Sequence, residues 1–128
     1  MQTARRNAEN LTILLLEDDL LLAMDMEEFL TDRGYEIAGP YGRVGEALEA
    51  IQTMHVDGAV VDLNLHGEMS FPVIELLQAR DVPVIVCSGY AELPELKQRL
   101  SGLPLLAKPW NPRKLCQLLD EAFDGVPP

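Results

Sequence analysis

The sequence predicts an α/β domain of five βα repeats, (βα)5, with a five-stranded parallel sheet and helices on both faces. Three observations predict it. Short apolar runs, too continuous for half-exposed strands, alternate with segments of helical periodicity. Gly and Pro fall between these segments and close them. Polar residues able to do chemistry follow the apolar runs directly, at the carboxyl ends where sheets of this kind bind ligands.

Residues 1–10 are polar and read as a flexible N-terminal segment before a domain spanning 11–124, with 125–128 as a tail. Leu11 to Leu16 is the first strand, followed by Glu17, Asp18 and Asp19, the last an N-cap. The next helix has Leu21, Met24 and Phe29 on its apolar side and ends at Arg33-Gly34, where Gly34 suits the left-handed position past the cap. Tyr35 to Ala38 is a short strand, with Gly39-Pro40-Tyr41-Gly42 as a turn. Val44, Ala47, Leu48 and Ile51 recur at helical spacing. Val56 to Val61 is the third strand and runs into Asp62.

His66 to Met69 reads as a loop, and Ser70 as the cap of a helix burying Val73, Ile74, Leu76 and Leu77. Val84 to Cys87 is the fourth strand, ending at Ser88-Gly89-Tyr90. Residues 91–104 carry a weak pattern: Leu93, Leu96 and Leu100 allow a short helix that Pro94, Ser101-Gly102 and Pro104 interrupt. Leu105 to Ala107 is the fifth strand and leads into Lys108-Pro109. Asn111-Pro112 caps a last helix with Leu115, Leu118, Leu119 and Phe123 apolar.

With 128 residues the chain suits one domain with one core, and its net charge is −11. That charge argues against nucleic acid or an anionic membrane as partner, since both need a basic face, and favours cations and basic partners. No apolar run approaches the roughly 18–20 residues of a membrane span, and Ile13 to Leu16 is too short for a signal sequence, so the expected location is cytoplasmic. Cys87 and Cys116 lie 29 positions apart without His or Cys neighbours and read as small buried apolar residues. His55 and His66 read as isolated surface residues.

Glu17 and Asp18 after the first strand, Asp62 after the third, Ser88 after the fourth and Lys108 after the fifth therefore converge on one sheet edge. Three carboxylates brought together repel and call for a proton or a cation. Hard oxygen ligands suit Mg²⁺ or Mn²⁺. A lysine supplies a point charge for a carboxylate or phosphoryl oxygen, and a serine hydroxyl can donate to one. Together these groups describe in-line phosphoryl transfer to an aspartate. Each residue alone has a plainer reading: a solvated turn for Glu17 and Asp18, a loop start for Asp62, a turn for Ser88, an edge charge for Lys108. Jointly these require five coincidences at strand carboxyl ends.

Ile-Leu-Leu-Leu-Glu17-Asp18-Asp19, Val-Val-Asp62-Leu-Asn-Leu, Val-Cys-Ser88-Gly and Lys108-Pro109, in that order, resemble the receiver domains of response regulators, which share a flavodoxin-like fold and serve two-component phosphorelay signalling. The resemblance covers about residues 10–124. It implies that Asp62 accepts a phosphoryl group from a histidine kinase or a histidine phosphotransfer protein. It implies that Asp18, Asp62 and the Asn64 backbone carbonyl ligate Mg²⁺, with Glu17 acting through water, and that Ser88, Gly89 and Lys108 bind the phosphoryl group and switch. The Lys108-Pro109 bond is expected to be cis. Such a domain catalyses only its own phosphorylation and dephosphorylation and is otherwise no enzyme. Val86-Cys87-Ser88-Gly89-Tyr90 further resembles the Phe-Ala-Thr-Gly-Tyr pattern of a receiver subgroup, often single-domain.

Two features depart from the family: its usual switch aromatic stands three residues before the lysine, where this chain has Leu105, and the stretch after Ser88 is unusual. The expected output is therefore ordering of the loop at 89–104, with Gly89 giving it freedom, rather than rotation of an aromatic ring. Phosphorylation would alter the face around 91–104, the fifth strand and the last helix, and act in trans on an unidentified protein partner, or the domain would be a phosphate sink. Other chemistries fit less well. An aspartate-nucleophile phosphatase normally has a second acid two residues after its nucleophile, where Asn64 stands. A flavin mononucleotide binder needs a phosphate cradle after the first strand, and Glu17-Asp18-Asp19 would repel phosphate. An interaction module without phosphorylation would usually lack the acids or the lysine.

Overall fold

Why the apolar runs become buried strands is visible in their pairing. The computed structural model describes residues 11–89 and 98–123. Among these, β1 (Thr12–Leu16), β2 (Glu36–Tyr41), β3 (Gly58–Asp62), β6 (Val84–Ser88) and β7 (Leu105–Ala107) form one parallel sheet in the order β2-β1-β3-β6-β7. The strands β3 and β6 are buried at all five positions, as parallel strands covered on both faces must be. A second, two-stranded antiparallel sheet, β4 (Asn64–Leu65) with β5 (Glu68–Met69), follows β3 directly.

Four helices flank the main sheet among the described residues: α1 (Leu20–Asp32), α2 (Val44–Thr53), α3 (Phe71–Ala79) and α4 (Pro112–Phe123). Alternate side chains of each strand point to opposite faces, so two cores form. Leu14, Leu16, Ala59, Val61, Val84 and Val86 pack with Val44, Ala47, Ile51, Val73, Ile74 and Leu77 of α2 and α3. Ile13, Leu15, Val60, Ile85 and Leu106 pack with Met26 and Leu30 of α1 and Leu115, Leu118 and Leu119 of α4. The expected sheet with helices on both faces is the observed one.

Local signals behave as read at several ends. Asp19 Oδ1 accepts the Leu22 N–H at 3.2 Å and caps α1, while Asn111 Oδ1 accepts from Arg113 and Lys114 at the start of α4. Gly34 takes φ 99 after α1.

Four expectations are corrected. The buried stripe of α1 is Ala23, Met26 and Leu30, whereas Leu21 and Met24 are exposed, because packing of Met26 and Leu30 against the sheet sets which side is buried while apolar residues occupy several sides of this helix. The strand β2 continues through the residues read as a turn. Leu14 pairs with Ala38 but Leu16 with Tyr41, so β2 carries one extra residue, absorbed at Gly39 (φ 109) and a cis Gly39-Pro40 bond. Residues 66–69 form the turn and second strand of a hairpin rather than a plain loop. Cys116 is only half-buried, in contrast to Cys87. Within the weak 91–104 stretch, residues 90–97 lie outside the described residues; beyond them a helical turn at 98–99 leads to the buried Leu100.

Candidate functional site

The site forms where the carboxyl ends of β1, β3, β6 and β7 meet. Glu17, Asp18, Asp62, Ser88 and Lys108 line one open cavity of about 470 Å³, with Asp19, Leu22, Asn64, His66, Gly67 and Gly89. Asp62 is 4% exposed at the end of β3. Its place is held by backbone bonds on both sides of the chain: the Leu63 N–H donates to the Cys87 carbonyl at 2.9 Å, and the Ser70 hydroxyl donates to the Asp62 carbonyl at 2.7 Å. Ser70 therefore does not cap α3 with its side chain, as its type suggested. It is fully buried and ties the start of α3 back to the end of β3.

Glu17 is positioned from the other side. Its N–H donates to the Tyr41 carbonyl at 2.8 Å, which the extra residue of β2 brings into reach. Glu17 Oε2 accepts the Asp19 N–H at 3.0 Å. Lys108 enters from the end of β7, where its N–H donates to the Ser88 carbonyl at 3.2 Å and its bond to Pro109 is cis. Lys108 Nζ stands 3.0 Å from Asp62 Oδ2 and 3.0 Å from Glu17 Oε1, bridging the two acids.

The electrostatics follow from this crowding. Burial raises the Asp62 carboxyl above its ordinary value, against the pull of the Lys108 ammonium and the Asn64 N–H. Burial and then the nearby Asp62 charge raise Glu17, against the Asp19 N–H and Lys108. Burial opposes the charge on Lys108, yet its bonds to Asp62 and Glu17 prevail and raise it. The lysine stays charged while both carboxyls resist ionisation.

Glu17, Asp18 and Asp62 each offer one carboxylate oxygen within 4.8 Å of the others. Asp18 Oδ2 is buried and pairs with His66 Nδ1. Three carboxylate oxygens gathered in this way fit a hard divalent cation such as Mg²⁺. Asn64 closes the turn of the β4–β5 hairpin with its side chain, its Oδ1 accepting the Gly67 N–H at 2.6 Å.

Two residues of the site were missed in the sequence. Ser70 looked like an ordinary cap. His66 read as an isolated surface residue, and it is 83% exposed, but its Nδ1 lies against Asp18 Oδ2 and it lines the cavity. The one available signal was its place four residues after Asp62, at the carboxyl end of a buried strand. Leu105 is half-buried in β7, packed against the core under α2 and α3.

Comparison with known proteins agrees with this geometry. The family model described as "Response regulator receiver domain" matches residues 13–120. The transcriptional regulatory protein PdtaR of Mycobacterium tuberculosis is 28% identical over 102 residues, 77% of this chain and 50% of PdtaR. The phyllosphere-induced regulator PhyR of Methylorubrum extorquens is 28% identical over 114 residues, 87% of this chain and 43% of PhyR. The chain thus spans about half the length of these curated relatives or less. The receiver domain of PhyR from Erythrobacter litoralis superposes with a TM-score of 0.82 at 25% identity, covering 94% of this chain and 95% of that one. These similarities do not separate out the Phe-Ala-Thr-Gly-Tyr subgroup that residues 86–90 resemble. With its five-stranded parallel fold and a family match over most of its length, the chain belongs to the response regulator receiver domains of two-component signalling.

Proposed function

We propose that Asp62 is the phosphoacceptor of this receiver, taking a phosphoryl group from the phosphohistidine of a kinase or phosphotransfer protein. The observation that carries the reading is a buried carboxylate, 4% exposed, facing an open cavity with a lysine ammonium at 3.0 Å and two further acids beside it. A carboxylate kept only for stability would not be buried beside two others, because each raises the cost of ionising its neighbour.

In the transfer, an Asp62 oxygen attacks phosphorus, the P–O bond forms, the P–N bond to histidine breaks, and the imidazole leaves with the electron pair. Asp18, Asp62 and the Asn64 backbone carbonyl would hold Mg²⁺ or Mn²⁺, with Glu17 acting through water. The cation, when bound, offsets the charge of the acids and of the transferring phosphoryl oxygens. Lys108 moves from Asp62 Oδ2 to a phosphoryl oxygen, remaining anchored by Glu17 Oε1 at 3.0 Å. Ser88, at the end of β6, donates to another phosphoryl oxygen, and Gly89 beside it gives the backbone there conformational freedom.

The phosphorylated state is passed to a protein partner through rearrangement of the chain after Ser88. Leu105 gives the switch position no ring to turn inward, so the backbone after Gly89 carries the change. Incubation with acetyl phosphate and Mg²⁺, followed by intact mass, tests the reading. A phosphoryl adduct is expected, lost in Asp62→Asn. No adduct, or one that survives the substitution, overturns it.

A further inference from the structure

Residues 64–69 make the β4–β5 hairpin, which leaves the end of β3 and returns to it at Ser70. Ser70 closes that excursion at its base. Its N–H donates to the Leu63 carbonyl at 2.9 Å, and its hydroxyl lies 2.7 Å from the Asp62 carbonyl and 3.1 Å from that of Leu63. Successive carbonyls of an extended strand point to opposite sides. Two of them reach one hydroxyl only where the chain bends, and it bends at Leu63. The bend follows Asp62 directly, so it fixes the direction in which the Asp62 side chain leaves the sheet.

The rest of Ser70 serves the helix. Its carbonyl accepts the Val73 and Ile74 N–H groups at 3.0 and 3.1 Å and starts α3. Its hydroxyl caps no N–H of α3, the usual role of a serine at that place. A hydroxyl directed at two strand carbonyls does nothing for the helix, so helix formation gives no reason for it. The helix itself is held by Val73, Ile74 and Leu77, all buried in the core it shares with β3 and β6. Ser70, with no exposed surface, thus fastens the bend beside Asp62 to a packed element.

We propose that Ser70 is a positioning residue for phosphoryl transfer, holding the Asp62 carboxylate on its line of attack at phosphorus. The proposal rests on the reading of Asp62 as phosphoacceptor and names what aims it. The attacking oxygen must approach phosphorus opposite the leaving group, while Lys108 Nζ stands 3.0 Å from Asp62 Oδ2. A displacement of about 1 Å in a reacting group costs on the order of a hundredfold in rate. Ser70 lies behind the cavity rather than on its lining, so it acts through the Asp62 backbone and not on the phosphoryl group. Its loss should therefore slow the transfer and spare the binding of the donor.

Phosphorylation of the full chain by acetyl phosphate at saturating Mg²⁺, followed by intact mass over time, tests it. An Asp62 oxygen forms the new bond to phosphorus as the bond to acetate breaks, and acetate leaves with the electron pair. In Ser70→Ala the maximal rate per folded molecule should fall about tenfold or more. The acetyl phosphate concentration giving half that rate should stay within about threefold of the parent's. Leu77→Val loosens the far end of the same helix and should lower stability while leaving the rate unchanged. A parental rate in folded Ser70→Ala, or equal slowing in Leu77→Val, overturns the role of Ser70 and leaves Asp62 as phosphoacceptor. Should Ser70→Ala fail to fold, Ser70→Cys, which keeps only a weak donor, takes its place and the same outcomes decide. A parent that takes up no phosphoryl group overturns the phosphoacceptor reading and Ser70 with it.

Discussion

The Ser70 hydroxyl donates to the backbone carbonyl of Asp62 at 2.7 Å, from a side chain with no exposed surface. It also reaches the Leu63 carbonyl at 3.1 Å, and the Ser70 N–H donates to the same oxygen at 2.9 Å. One small residue thus joins the first turn of α3 to the end of β3 and fixes the backbone from which the Asp62 carboxylate projects. Ser70→Ala removes the donor and leaves a buried carbonyl without it. Destabilisation of about 1–3 kcal/mol is expected, read as a lowered denaturant midpoint with an unchanged slope. An unchanged midpoint would show that the carbonyl finds another partner.

The raised carboxyls of Asp62 and Glu17 make the site a source of instability at neutral pH. A group whose folded pKa lies above its unfolded value holds its proton longer in the folded state. The folded state then binds more protons as pH rises from 3.8, the ordinary value for Asp62, through the folded pKa, and stability is lost across that window. In metal-free buffer, Asp62→Asn should therefore melt higher than the parent at pH 7, with the gap closing as pH falls towards about 4. Lys108 does not reverse the sign, because Glu17 Oε1 still holds it at 3.0 Å. A variant less stable at pH 7 than at pH 4, relative to the parent, contradicts the burial origin of the shift.

Divalent cations should act in the opposite direction on the parent. Binding only to the folded state at 100 times its dissociation constant stabilises by about 2.7 kcal/mol. Mg²⁺ should raise the melting temperature of the parent and leave that of Asp18→Asn nearly unchanged. Equal shifts in both proteins would mean that the cation acts elsewhere.

Gly39 links the sheet to the site at a distance. A Cβ there would stand 2.7 Å from the Tyr41 nitrogen and 2.8 Å from the Leu15 carbonyl, with φ at 109. Neither backbone atom can yield cheaply. Gly39→Ala should cost more than the ~1 kcal/mol usual for a point substitution, and it should also slow phosphorylation, because the Tyr41 carbonyl that receives the Glu17 N–H must move. Gly67→Ala, also left-handed but with nothing among the described residues within 4 Å of its Cβ, should show the backbone cost without the clash.

Cys87 is buried next to Asp62, and its thiol is pushed up to about 12, first by burial and then by the Asp62 charge. It should stay unmodified by iodoacetamide at pH 8 in the folded chain, while the half-exposed Cys116 reacts. Peptide mass mapping after a short exposure distinguishes the two.

Much of this was legible in the chain. Continuous apolar runs separated by amphipathic segments determine a parallel sheet, since only burial on both faces accommodates them. The carboxyl ends of those runs located Glu17, Asp18, Asp62, Ser88 and Lys108, because in a parallel sheet every such end faces the same edge. The caps at Asp19 and Asn111 were equally local, each resting on side-chain bonds two or three residues away.

What tertiary structure alone decided are relations between residues distant in sequence or hidden by residue type. The phase of α1 turned Leu21 and Met24 outward, which hydrophobicity could not foresee once several apolar residues crowd one helix. The extra residue of β2 appears only in its pairing with β1. Ser70 had the sequence of a cap, and its burial against β3 made it a brace for Asp62. The turn at His66-Gly67 brought an exposed histidine onto Asp18, 48 positions earlier in the chain, because a two-residue hairpin reverses direction at the very edge where the acids gather. Sequence determines periodicity and strand ends through local chemistry; contact across the sheet depends on register and turn geometry, which only the folded chain fixes.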